Sequence, residues 1–184
     1  MAAAACSTPS SGEAPNKQAA KAAAAVAPQA KPAPPDDRYD TGALGATTFA
    51  VSAGTPEARG HFTRGLLALH SFWYDEATRE FQAAIAADPA MSMAYWGAAM
   101  SACKLLWGDD DVGAARQLLA KLPAPERLSP REQAWVAAAN ALVAEGNVRA
   151  SRTRFAAAME ALHGKFPDDE SATFLAIALI ASTH

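Results

Sequence analysis

The sequence predicts an all-α fold of antiparallel helix-turn-helix units, about seven helices making three to four units. Three observations carry that expectation. Apolar residues recur at helical spacing between Pro and Gly breakers from residue 55 to the end of the 184-residue chain. Between residues 58 and 91, Gly65, Tyr74, Ala77, Phe81, Ala84 and Pro89 stand at the packing offsets of a 34-residue helical repeat. Pro89 and Pro167 lie 78 residues apart, twice 39, which brings Tyr95-Trp96 into register with Thr173-Phe174.

The offsets have a physical reason. Gly65 in the first helix of a pair, with Ala77 and Ala84 in the second, lets two backbones approach, and Phe81 fills the space between them. Pro89 follows the second helix, where proline disfavours helix in the residue before it. This pattern resembles the tetratricopeptide unit, and the resemblance implies a right-handed α-α superhelix. His61 and Arg64 depart from it, standing where an aromatic and a Leu are usual; so does Ala68, at a usual tyrosine position.

The elements follow in order. Thr55-Pro56-Glu57 opens the first helix with a cap and a first-turn proline, and it runs to about Ser71. The second spans Asp75 to Ala87. A third carries Met93, Trp96, Met100 and Cys103 on one stripe. Trp107 to Asp111 forms a turn and the acidic start of a short fourth helix through Leu118, Leu119 and Leu122. Ser129-Pro130-Arg131-Glu132 has the capping-box arrangement for a fifth helix through Trp135 and Leu142. Gly146-Asn147 breaks it, and a sixth holds Phe155, Met159 and Leu162 until His163 to Pro167 stops it. The apolar run Phe174 to Ile180 makes a seventh, with no partner helix before His184. Repeat arrays end in a polar cap, so residues 55–184 are expected to be the N-terminal part of a longer array, or to dock that face on another chain.

Residues 1–50 are expected to be a disordered tether. From Met1 to Pro35 the chain has six Pro, three Lys and runs of Ala, with Val26 as the one larger aliphatic residue after the initiator. Such a stretch buries too little apolar surface to offset the entropy of ordering it. Ala3-Ala4-Ala5-Cys6-Ser7 resembles the end of a bacterial lipoprotein signal, which makes Cys6 a lipidation candidate. It also places the protein, lipid-anchored, at the periplasm-facing cell envelope; without the anchor, the cytoplasm is expected. Met1 leaves no room for the basic and apolar start of such a signal. No run of 18 apolar residues encodes a transmembrane helix. From Asp36 onward 18 acidic and 13 basic residues leave a net charge of −5, which argues against nucleic acid as a partner. The basic run Arg149, Arg152, Arg154 reads as a solvated helix face, and Cys103 as a small buried hydrophobe.

The strings His61-Phe62, Leu69 to Ala77, Ala94 to Ser101 and Leu106-Trp107-Gly108 resemble a group of bacterial tetratricopeptide-repeat proteins of undefined biochemical role. Members usually run on into His-containing segments that this chain lacks. The repeat resemblance implies a concave face lined by first helices: Arg59, Phe62, Leu66 and His70 in one unit, Met93, Trp96, Met100 and Lys104 in the next. Aromatic and Met side chains flanked by Arg, His and Lys suit a peptide with apolar anchors and an acidic group. The competing expectation is that Phe62, Leu66, Met93 and Trp96 are inter-repeat core.

No catalytic, cofactor or metal constellation stands out. His70 and Asp75 flank the first turn without a positioned nucleophile. His61 and His70, nine residues apart, project to nearly opposite faces of one helix. Asp109-Asp110-Asp111 lacks the longer loop and distal glutamate of a calcium site, and the Met-rich stripe reads as packing. The expected function is a non-catalytic scaffold for a protein or peptide. The alternative is the helical part of a larger enzyme or metal-binding protein whose chemistry lies downstream.

Overall fold

The computed structural model describes residues 41–183. Cys6 and the first 40 residues of the expected tether lie outside them. Seven α-helices occupy most of the described chain: α1 (Pro56–His70), α2 (Tyr74–Ala87), α3 (Ser92–Ala102), α4 (Val112–Ala120), α5 (Pro130–Val143), α6 (Val148–Lys165) and α7 (Asp169–Ser182). Each packs against the next in chain order, and α1 meets α3 as α3 meets α5.

The helix starts are set by the residues that the sequence singles out. Thr55 accepts from the Ala58 amide at 3.2 Å, with Pro56 at the first position. Asp111 caps α4 through the Ala114 amide, and Asn147 caps α6 through the Ala150 amide. Ser129 and Glu132 form the expected capping box on α5. Asp168 and Ser171 form a second, unexpected one on α7. Pro89 sits in the turn between α2 and α3, which begins at Ser92. One detail differs from expectation. Cys103 caps α3 and then pairs with Asp110, as Lys104 does with Asp109, in a short antiparallel ladder of β1 (Cys103–Lys104) and β2 (Asp109–Asp110).

Phe81 is the wedge of the first three helices. Its ring is fully buried between Gly65 on α1 and Gly97 on α3, and it meets Phe62 edge-on at 5.5 Å. Ala77 and Ala84 are likewise fully buried. His61 and Arg64, the departures from the repeat pattern, both turn to Glu80 on α2, at 2.7 and 3.0 Å. A half-buried polar cluster thus replaces the apolar contact at those positions.

The packed unit starts before α1. Thr41–Leu44 forms a 3-10 turn, and Phe49 is buried at 8 % exposure. Residues 41–50, assigned by composition to the tether, therefore belong to the packed part of the chain.

Candidate functional site

α1, α3, α5 and α7 each contribute one large ring to a common face: Phe62, Trp96, Trp135 and Phe174, none more than 4 % exposed. The rings are spaced by 34, 39 and 39 residues. Trp96, Trp135 and Phe174 meet one another edge-on or tilted, with Trp96 to Trp135 at 5.3 Å, Trp96 to Phe174 at 5.8 Å and Trp135 to Phe174 at 5.1 Å between centroids, while Phe62 meets Phe81.

The segment between Gly45 and Gly54 runs across this face. Inside it burial alternates, with Thr47 and Val51 half-buried, Phe49 buried, and residues 46, 48, 50 and 52 exposed, the period of an extended chain lying on a surface. Phe49 contacts three of the four rings, at 5.7 Å from Phe62, 5.5 Å from Trp96 and 5.2 Å from Trp135. The Arg131 guanidinium lies over both Phe49 and Trp135, 4.5 and 5.6 Å from their ring centres.

Two carboxylates in the first turns of α5 and α7 hold the segment by its hydroxyls. Glu132 accepts from the Ser52 amide at 2.8 Å and from the Ser52 hydroxyl, while also accepting from the Ser129 amide and hydroxyl at 2.8 and 2.7 Å. Burial pushes its carboxyl up, but the bonds from Ser52 and Ser129 outweigh burial and leave it below its ordinary value. Glu170 accepts from the Thr47 hydroxyl and stands 2.9 Å from His70 Nε2. Burial again opposes ionisation there, and the bonds from His70 and Thr47 again win. Arg131 ties the two helix starts together through Asp168, at 2.9 and 2.6 Å.

The structure separates the eight expected groove residues. Phe62 and Trp96 do line the shared face, beneath Phe49. Leu66, Met93 and Met100 are core side chains, at most 3 % exposed, so no open groove is formed by them. Arg59 is exposed, and Lys104 lies in β1, half-buried. The carboxylate beside His70 is Glu170 on α7, rather than Asp75 across the nearby turn. Trp135, Arg131, Glu132 and Glu170 were absent from the expected set. Trp135 was legible, lying 39 residues from both Trp96 and Phe174.

Two other surfaces are notable. Phe72, Tyr74 and Trp107 form an aromatic cluster at the α1–α2 turn and the β hairpin, with Phe72 to Trp107 at 4.9 Å and Trp107 58 % exposed. The Tyr74 hydroxyl is pushed up to about 12 by burial, with Asp110 adding to it. On α7, Leu179 and Ile180 are exposed. Cys103 is buried, and its thiol is likewise pushed up to about 12 by burial and then by Asp110 and Asp111. Among the described residues no helix is long and apolar enough to cross a membrane, and no three or more His, Cys, Asp or Glu side chains are grouped to hold a metal. Comparison with known proteins gives no matching family model, no matching curated protein and no matching solved structure.

Proposed function

We propose that this chain is a non-catalytic interaction module of tetratricopeptide-like repeats. In this reading, the face shared by α1, α3, α5 and α7 holds an extended segment of a protein. One observation carries it: an extended stretch with a single aromatic anchor is already seated on that face, against rings recurring at repeat spacing. A rigid array of rings gives apolar anchorage, and carboxylates at its rim give orientation, the division of labour seen in peptide-binding grooves. The wedge of Phe81 against Gly65 and Gly97 supports the repeat reading, because it places the signature residues in the inter-helix contacts that such a unit requires.

A selection of displayed random peptides against the full chain carrying Phe49→Ala, which removes the aromatic anchor already seated on the face, tests this. Selected peptides are expected to move the indole resonances of Trp96 and Trp135. The reading is overturned if none is selected, or if binding moves only the exposed Trp107.

A further inference from the structure

We propose that residues 45–54 are a built-in competitor. They occupy the binding face in place of a segment of another protein, which must displace them and which carries an aromatic residue flanked by hydroxyls at the spacing of Thr47, Phe49 and Ser52. This rests on the interaction-module reading and adds the partner's chemistry and a control over its entry.

The segment is attached as a removable strap. Among the described residues, no backbone-to-backbone hydrogen bond links 45–54 to a helix. Its attachments are to side chains of the helices: the Phe49 ring on Phe62, Trp96 and Trp135, the Thr47 hydroxyl on Glu170, and the Ser52 amide and hydroxyl on Glu132. The Phe49 amide bonds within the segment, to the Thr47 hydroxyl at 3.1 Å. A stretch held this way opens at a lower free energy than the helices beneath it. Its two ends are Gly45 and Gly54, at φ +94° and +112°, a backbone region that other residues enter only with strain. Such positions absorb the backbone rotation of a hinge.

The strap also fits its seat incompletely. Trp135 Nε1 and Arg131 Nη1 are buried with no acceptor among the described residues, although both side chains face Phe49. Buried donors left unpaired favour any ligand that brings an acceptor. Residues 41–54 contain no charged side chain. A segment that adds a carboxylate beside the aromatic anchor therefore gains a bond that the strap cannot make, and the Arg131 charge favours it.

In cis, the strap acts at an effective concentration of order millimolar, which blocks weak segments in trans. The test uses the full chain and a fluorescent peptide of residues 43–54 as the probe. The native chain is expected to bind it at least 100-fold more weakly than the Thr47→Asp/Ser52→Asp double variant, in which two new carboxylates oppose Glu170 and Glu132 and expel the strap. Phe49→Ala, which removes the anchor without adding charge, is expected to give a similar gain. Replacing Ala50 of the probe by Asp is expected to tighten its binding to both variants.

The proposal is overturned if both variants keep their helical far-ultraviolet signal but bind the probe no better than the native chain. It is equally overturned if both lose that signal, because the strap is then an inseparable part of the core. If the probe binds as expected but displayed peptides from other sequences never do, the strap stands and the interaction-module reading falls.

Discussion

Phe49 and Trp96 stack with ring centroids 5.5 Å apart and planes inclined by 22°, across 47 residues of sequence. Removing that ring is expected to release the strap before the helices. Truncating a fully enclosed Phe costs roughly 3–5 kcal/mol when a cavity stays behind. In Phe49→Ala the strap can leave instead, so the loss in urea-measured stability should fall below that range. Tryptophan emission should shift to the red in the absence of denaturant, because Trp96 and Trp135 lose their cover.

Gly97 and Gly65 make a paired prediction. A Cβ on Gly97 would stand 2.3 Å from the Phe81 ring, and one on Gly65 would stand 3.0 Å away. The ring cannot swing aside, being fully buried and braced by Phe62. Gly97→Ala is therefore expected to destabilise by roughly 1–3 kcal/mol through overpacking, less the ~0.5–1 kcal/mol that alanine gains in a helix interior. Gly65→Ala should destabilise less than Gly97→Ala, because its overlap with the same ring is smaller. Urea midpoints of the two variants decide the order.

The helices were legible because their punctuation is local. Thr55-Pro56, Ser129-Pro130 with Glu132, and Gly146-Asn147 mark starts and stops within a few residues, and all three mark boundaries here. The wedge was legible too, since small residues opposite Phe81 announce close approach. The strap was not. Its composition continues the Ala-rich stretch before it, and only the Thr47-Phe49-Val51 alternation hints at an extended run with one side inward. Glu132 and Glu170 look like ordinary first-turn acids favoured by the helix dipole. Their second role depends on a chain segment 80 and 123 residues away, which no local pattern encodes.

Acid should loosen the strap selectively. Glu132 and Glu170 have folded-state values held below the ordinary 4.5, so their contribution to stability is complete above that value and is lost as pH falls through the lower folded values. Asp168, lowered by Ser171 and Arg131 against the opposing effect of burial, adds to the same window from its ordinary 3.8 downward. Tryptophan emission followed from pH 7 to pH 2 should shift below about pH 4.5. The Glu132→Gln/Glu170→Gln variant should flatten that change.

Phe72 ends α1 at φ +58°, where glycine is usual. The Trp73 amide bonds to the Ala68 carbonyl at 2.9 Å and the Phe72 amide to Leu69 at 3.0 Å, the paired bonds of a Schellman cap. A left-handed Phe costs about 1–2 kcal/mol relative to an unstrained residue. Its ring is 39 % exposed and rests on Trp107 at 4.9 Å, a contact that offsets only part of that strain. Phe72→Gly is thus expected to leave thermal stability unchanged or to raise it by up to about 1 kcal/mol.

The claim that an extended segment occupies the shared face is tested most directly by amide hydrogen exchange at residues 46–53 of the native chain. The account predicts that the Ser52 amide, bonded to Glu132 at 2.8 Å, exchanges at least 100-fold slower than an unstructured amide and yet faster than the amides of α1 and α5. Exchange at the unstructured rate throughout residues 46–53, with the helices still protected, would contradict it.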